Sequence, residues 1–353
     1  MRHEFDFCPV PFQEIEIFSD GSVFTCCPSW NEYYSIGNVF ESSVEEIWNS
    51  DKVVQLRRRI LHDDYSLCKK DKCYMLHNRN FFSDFISEFK PVMEQSPLRV
   101  KYGYDYECNI ACSICRKEIK RLSDEELEKW DRKIDSFFIP LLKSTKVLVI
   151  NTHGDPFGSR HSRKVIKKAA QTYPELKFDF TTNGILCNEK MFEQLNLKPE
   201  QIDTIRISIH AATKETYGKI IKNGEELFDT LIRNLEYLSE LKKNYNFTFL
   251  IQFVVMANNY KEMPQFVEMA EKYNAVPIFW EYKKDSCAYT DFEKELSIVE
   301  PEHKEHKKLI KVLHHPNMYK YKNCLYPILY NLQKTDIRNP IQKLLDKLIK
   351  KEA

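Results

Sequence analysis

The sequence predicts an α/β fold: a partial (β/α)6 barrel of the TIM type, with a small cysteine-rich α+β domain at the N-terminus. Three observations predict it. From residue 98 onward six short strand-like runs alternate with five helical patterns, as successive parallel β/α units require. The first 95 residues or so have another rhythm, turn-rich and cysteine-rich. Finally, 353 residues with only 8 glycines, no low-complexity tract and no internal repeat leave little room for flexible linkers. The expected organisation is a cysteine-rich domain over 1–95, a barrel over 96–285 and a helical extension over 286–353.

In the first part, Glu14-Ile-Glu-Ile-Phe18 and Ser22-Val-Phe-Thr25 alternate polar with apolar side chains and predict two short strands. Ser43-Val-Glu-Glu46 reads as a capping box, in which the serine hydroxyl and the glutamate carboxylate satisfy one another's backbone N–H groups. It opens a helix expected to run through Ile47, Trp48, Val54 and Leu56 to about Leu61. In the second part, strands are predicted at 98–102, 146–151, 178–181, 204–209, 248–255 and 276–280. Helices are predicted at 123–142, 160–172, 188–196, 225–243 and 260–273. Past residue 285 the alternation ends. A helix near Glu302–Leu313 and another opened by Asn339-Pro340 close the chain, the latter with Ile341, Leu344, Leu345, Leu348 and Ile349 along the side expected to dock on the barrel.

Lysines and arginines (53) nearly balance aspartates and glutamates (52), so no strong field favours nucleic acid or anionic lipid. The N-terminus lacks the apolar core of a signal peptide and no apolar run approaches a membrane span, which makes the cytoplasm the expected compartment. Eleven cysteines in a reducing compartment point to metal, cluster or redox use, not to a disulfide framework.

Three of those cysteines, Cys108, Cys112 and Cys115, fall within eight residues directly after the first barrel strand. Closely spaced thiolates on one loop suit a soft metal or an iron–sulfur cluster, and a cubane cluster with three protein thiolates keeps one iron open. Two other readings exist. The spacing would also stack the three on one helix face as core residues, but Asn109, Ser113, Arg116 and Tyr104-Asp-Tyr-Glu107 are too polar for a buried helix. The same three with His153 could instead hold zinc.

The loop Cys108-x3-Cys112-x2-Cys115 after a first strand, ahead of a β/α series, resembles the radical S-adenosylmethionine (SAM) enzymes. The resemblance implies that these cysteines hold a [4Fe–4S] cluster whose fourth iron is chelated by SAM, and that reductive cleavage of SAM gives a 5′-deoxyadenosyl radical that abstracts hydrogen from substrate. It continues at later strand ends. Gly154-Asp-Pro156 is similar to the family's Gly-Glu-Pro, with Asp155 one methylene shorter than the usual glutamate. Thr181-Thr-Asn-Gly184 matches the Thr-Asn-Gly of relatives and places Asn183 near SAM. Arg206 to Tyr217 is similar to the family's Ser-Ile-Asp-Ala-Ala-Thr-x-Glu-x-Tyr, with Ser208 as the expected ribose contact and His210 at the usual aspartate, either a titrating group or a polar strand-end residue. Phe253 to Asn258 looks like the fifth strand end, near adenine.

The N-terminal part resembles the SPASM or twitch domains that accompany many of these enzymes. Cys8-x12-Gly21-x4-Cys26, then Ile36-Gly-Asn-Val39, Val44 to Lys52 and Cys68-x4-Cys73 carry that resemblance, although such domains usually follow the barrel. It implies one auxiliary [4Fe–4S] cluster on Cys8, Cys26, Cys68 and Cys73, with Cys27 the alternate to Cys26; zinc on the same four is the other reading. Cys187, Cys287 and Cys324 are isolated and read as small buried residues, Cys287 being the one placed to approach substrate. Pro301-Glu-His-Lys-Glu-His306 reads as a solvated helix face. The implied activity is hydrogen abstraction from a peptide, small molecule or carbohydrate, with a reductant such as flavodoxin or ferredoxin as partner. The competing reading is a non-catalytic iron–sulfur or zinc-binding protein on a degenerate barrel.

Overall fold

A computed structural model of the chain describes residues 7–28, 35–69, 73, 88–116, 118–150, 153–282 and 293–334. Cys287 and the segment from Asn339 lie outside the described residues, as do Asn151 and Thr152. The chain forms two compact units. One comprises residues 1–109, 119–206 and 240–248, the other 110–118, 207–239 and 249–353.

Nine strands form one mixed, mostly parallel sheet in the order β3-β2-β1-β4-β5-β6-β7-β8-β9. They are β1 (Glu14–Ile17), β2 (Ser22–Phe24), β3 (Gly37–Asn38), β4 (Arg99–Tyr102), β5 (Val147–Ile150), β6 (Lys177–Thr182), β7 (Ile202–Ser208), β8 (Thr248–Val255) and β9 (Val276–Glu281). The six barrel strands thus arise where the alternating pattern predicts them. The partial-barrel α/β architecture has one addition. Strand β1 pairs in parallel with β4, Glu14 opposite Arg99 and Ile17 opposite Tyr102, so the N-terminal β1–β2–β3 meander extends the barrel sheet.

Alternation sorts side chains by face. Ile15, Ile17, Val100, Leu148, Ile150, Phe178 and Phe180 are sealed on one side. The burial of each such side chain contributes about 1.5–3 kcal/mol. The opposite face of the first unit is charged: Glu14 takes Arg99 at 3.3 Å and Lys101 at 2.5 Å, while Asp179 takes Arg99 at 3.1 Å and Arg206 at 3.3 Å. Two carboxylates are therefore shared among three cations along the strands.

The predicted helix from Ser43 is two helices, α1 (Val44–Trp48), opened by the expected capping box, and α2 (Asp51–Leu61). Asn49 breaks it because its side chain is used elsewhere: Oδ1 accepts from Arg57 and from Met93 N–H, and Nδ2 donates to the Met93 carbonyl. Arg57 is fully buried, stacks on Trp48 at 4.2 Å and donates to the Pro11 and Pro91 carbonyls, so it ties three separated segments together. Helix α3 (Asp124–Asp131) gives way to a π-helical turn at Ile134–Phe138. Helices at Arg160–Thr172, Glu189–Leu195 and Met263–Lys272 match their patterns. Within the motif after β7, Thr213 caps a further short helix, Lys214–Ile220, before the long helix Gly224–Asn244. His306–Leu313, Pro316–Lys320 and Pro327–Gln333 are helical at the far end.

Candidate active site

The cysteine loop leaves β4 through Gly103 and is fixed at each step by polar groups. Glu107 is buried and its carboxylate accepts from Leu122 N–H (2.9 Å), Arg160 N–H (2.8 Å) and the Arg160 guanidinium (2.8 Å). Burial pushes its pKa upward, but the Arg160 bonds outweigh that and hold the carboxylate below its usual range. The backbone continues the clamp, since Gly154 N–H donates to the Asp105 carbonyl (2.9 Å) and Asp155 N–H to the Glu107 carbonyl (2.8 Å). Glycine is required here. A Cβ on residue 154 would stand 1.9 Å from the Glu107 carbonyl oxygen.

Asp155 is the hub of this part. Oδ1 accepts from Phe157 N–H (3.0 Å) and Gly158 N–H (2.9 Å), and Oδ2 from the Thr182 hydroxyl (2.6 Å) and Asn183 N–H (2.8 Å). Complete burial pushes its pKa up despite those four donors. Both oxygens are occupied within the protein, so the shorter side chain of Asp155 fixes the β6 end against the Gly154-Asp-Pro156 turn. Asn183, held there, points its amide at Cys108 Sγ (3.8 Å) and Asn109 Oδ1 (2.9 Å). Thus Cys108, Gly154, Asp155 and Asn183, far apart in sequence, converge.

Cys112 and Cys115 lie in the second unit. The Cys112 carbonyl accepts from Cys115 N–H (3.1 Å) and Arg116 N–H (2.8 Å), which closes a tight turn, and Arg116 donates to Cys115 Sγ (3.6 Å). Ser113 N–H donates to the Ile220 carbonyl and the Ala111 carbonyl accepts from Lys222 N–H, at and just past the end of the short helix that the sequence did not predict. Ser208 ends β7. His210 follows with φ 64°, and its Nδ1 accepts from Val254 N–H at 3.1 Å, so Nε2 carries the ring proton; burial pushes its pKa down to about 4 and keeps it neutral. His153 is exposed.

In the N-terminal segment Gly21, at φ 84°, turns the β1–β2 hairpin and leaves no room for a side chain beside Phe40. Cys8, Cys68 and Cys73 are near enough to act on one another electrically. Burial pushes the Cys8 thiol up to about 12, with Val10 N–H pulling the other way and Cys73, Cys68 and Glu14 adding to the rise. Cys27 lies within the same kind of reach of Glu16. Cys187 is buried and its thiol is pushed well above the usual range by that burial and by Asp155, so it behaves as a core residue; Cys324, expected to be buried, is half-buried, and its partial burial raises its thiol pKa.

The ten described cysteines are thiols. Among the described residues no three Cys, His, Asp or Glu side chains are drawn to the spacing of a single-ion site. The donor sets nonetheless suit clusters: soft sulfurs on backbone-anchored turns, with N–H donors directed at Cys108, Cys115 and Cys8 that stabilise thiolate charge. Tyr65, with its hydroxyl accepting from Cys8 N–H at 3.3 Å, belongs to this surround and was not foreseen, since nothing in Tyr65-Ser-Leu-Cys68 marks it locally.

Residues 8–74 match the family model of the SPASM iron-sulfur cluster-binding domain. Over 169 residues the chain is 25% identical to the FeMo cofactor biosynthesis protein NifB of Methanocaldococcus jannaschii, covering 41% of this chain and 53% of that protein. Over 134 residues it is 28% identical to a probable GTP 3′,8-cyclase of Saccharolobus islandicus, covering 36% of this chain and 39% of the other. The chain spans about half the length of the curated relatives it matches, from 39% to 53%. A structure of TYW1 with a lysine-pyruvate adduct bound is similar at 18% identity and a TM-score of 0.37, over 61% of this chain and 72% of that one. No helix among the described residues is long and apolar enough to cross a membrane. Residues 8–74 thus carry a SPASM iron–sulfur cluster-binding domain, and the chain is similar to radical SAM enzymes, whose cofactors are [4Fe–4S] clusters and SAM.

Proposed function

We propose that the protein is a radical SAM enzyme that abstracts hydrogen from a peptide, small molecule or carbohydrate, with an auxiliary cluster assisting net oxidation or modification. The observation that carries this reading is the convergence of Cys108, Gly154, Asp155 and Asn183, residues of three motifs brought together by hydrogen bonds. In this reading Cys108, Cys112 and Cys115 hold the SAM-binding cluster and Cys8, Cys26, Cys68 and Cys73 the auxiliary one. When bound, the cluster and SAM supply a primary carbon radical on reduction.

The chain's own residues bind, orient and exclude water. Gly154 lets the backbone approach SAM closely, Asp155 fixes Pro156 and Asn183 in place, and Ser208 receives the ribose. His210, locked as a neutral Nε2–H donor, offers a hydrogen bond where an aspartate would accept one. A flavodoxin or ferredoxin would supply electrons. The functional segments we assign are 1–95 for the auxiliary cluster, 96–285 for SAM and substrate, and 286–353 as a helical extension.

The test is anaerobic reconstitution, with about eight irons per chain expected for two four-iron clusters. Dithionite should then release 5′-deoxyadenosine from SAM. Replacing Cys108, Cys112 and Cys115 together with alanine should abolish that release and keep about half the iron. A fully loaded protein that leaves SAM intact would sink the assignment. One observation favours the non-catalytic alternative: Asp155 has no acceptor left for a ligand. That alternative predicts iron or zinc binding without SAM cleavage.

A further inference from the structure

We propose that the charged face of strands β1, β4, β6 and β7 binds a carboxylate of the substrate, with the Nε and Nη2 groups of Arg206 as its bidentate anchor. The inference names the substrate class of the enzymatic reading given above and rests on that reading. The apolar face of these strands is already covered: Tyr102 packs on Phe138 of the π-helical turn, and Phe157 links Phe180 to Phe192 of the helix at Glu189–Leu195. The opposite face carries Glu14, Arg99, Lys101, Asp179, Thr181 and Arg206, joined by ion pairs and hydrogen bonds. Its three cations keep 16–23% of their side chains exposed, so they border open space and not packed core.

The carboxylates of this face do not use up its donors. Arg206 spends Nη1 on Asp179 Oδ1 (3.3 Å) and Thr181 Oγ1 (3.0 Å), and among the described residues its Nε and Nη2 have no partner. Those two N–H groups form one edge of the guanidinium, which takes a planar carboxylate through two parallel hydrogen bonds. Arg99 gives Nη2 to Asp179 at 3.1 Å, while its Nε, 3.3 Å from Glu14 Oε2, is buried and makes no hydrogen bond. Charge selects the anion. Glu16, on the same face opposite Lys101, adds at most one negative charge, so the layer is neutral with Glu16 ionised and carries one positive charge with Glu16 protonated. It can balance one carboxylate, whereas a phosphate, at about −1.5 to −2 near neutral pH, would leave negative charge uncompensated. Asn183, whose amide points at Cys108 Sγ (3.8 Å), lies two residues past Thr181 on the same face, roughly 7 Å along the strand direction. A carboxylate held by Arg206 thus leaves a length of a few carbons between itself and the level of the cysteine loop.

The experiment uses full-length protein, reconstituted anaerobically and kept without reductant, with propionate as the probe. Its denaturation midpoint should rise by about 2 °C or more with propionate, relative to propionamide at equal ionic strength. That rise should persist in saturating SAM, because the probe takes the place of the substrate and not that of SAM's own carboxylate; competition by SAM overturns the assignment to substrate. Arg206→Gln should weaken propionate at least about tenfold, and Arg206→Lys, which keeps the charge beside Asp179 but loses the fork, several-fold. Propionate acting no better than propionamide on the wild type overturns the proposal. Unweakened binding in Arg206→Lys does the same, and that variant decides the matter if Arg206→Gln fails to fold. Phosphate binding more tightly than propionate overturns the choice of carboxylate. None of these readouts needs turnover: a protein that cleaves SAM but ignores propionate loses this proposal alone, and one that binds propionate but leaves SAM intact on reduction loses the enzymatic reading.

Discussion

The two cysteine-bearing regions gather their thiols in opposite ways. The loop from Cys108 to Cys115 brings three of them by proximity in sequence, and the fold has only to hold a short backbone segment in shape, through Glu107, Gly154 and Asp155. The N-terminal region collects Cys8, Cys68 and Cys73 from sixty residues of chain, and the fold has to supply the collection itself. Arg57 and Tyr65 do much of this, the first binding Pro11, Asn49 and Pro91, the second binding Cys8 and Cys68. A local site is vulnerable to a single misplaced atom, whereas a collected site is vulnerable to loss of its buried ties.

The largest expected effect follows from the local case. Gly154→Ala places a methyl group 1.9 Å from the Glu107 carbonyl, a clash with backbone that no side-chain movement relieves. We expect a loss of about 3 kcal/mol, at the top of the usual overpacking range. SAM cleavage should disappear and iron fall to about half, the N-terminal share, as read by denaturation midpoint and iron content. Full iron with normal cleavage would show that the loop yields where the comparison says it cannot.

The collected site is tested by Arg57→Met, which keeps most of the volume but leaves the Pro11 and Pro91 carbonyls and one Asn49 bond without their donor. Each buried acceptor left unsatisfied costs about 1–3 kcal/mol, and relief from burying a cation without a carboxylate offsets part of that. A net loss of about 2 kcal/mol is expected. In the triple-alanine background the variant should lose N-terminal iron to a chelator faster than its parent. An unchanged rate would mean that the cysteines stay gathered without this tie.

The same contrast explains what could be read in advance. The six barrel strands and the strand-end motifs were legible because each is a local pattern, and the convergence of Cys108 with Asn183 follows once β4 and β6 stand in their places in the sheet. Tyr65 and Arg57 carry no local signal, since their roles depend on residues more than forty positions away. The break at Asn49 was hidden for the same reason: the capping box was visible, but the competing bonds to Met93 were not. Asp155 looked like a shortened ligand residue; its four internal donors become visible only when the β5 and β6 ends are side by side. The pairing of β1 with β4 was equally remote, because a four-residue strand states its alternation but not its neighbour.

That pairing supplies the sharpest probe of where the two regions meet. Glu16, on the N-terminal strand, stands opposite Lys101 on the first barrel strand, and burial pushes its carboxyl up to about 7 against the pull of that lysine, with Glu14 and Cys27 adding to the rise. Because its pKa in the folded protein exceeds the unfolded value of 4.5, folding favours the protonated form. Its stabilising contribution is complete below pH 4.5 and is lost as pH rises through 7. Glu16→Gln keeps a neutral side chain at every pH, so its denaturation midpoint should fall less than that of the wild type between pH 5 and 8. The difference should be about 2 kcal/mol once partial contact with solvent is allowed for. Asp155 also has a raised pKa and slopes the same way, but it is present in both proteins and cancels in the difference. Parallel pH curves would mean that water or Lys101 compensates Glu16 fully, and that the strand joining the two regions carries no electrostatic strain.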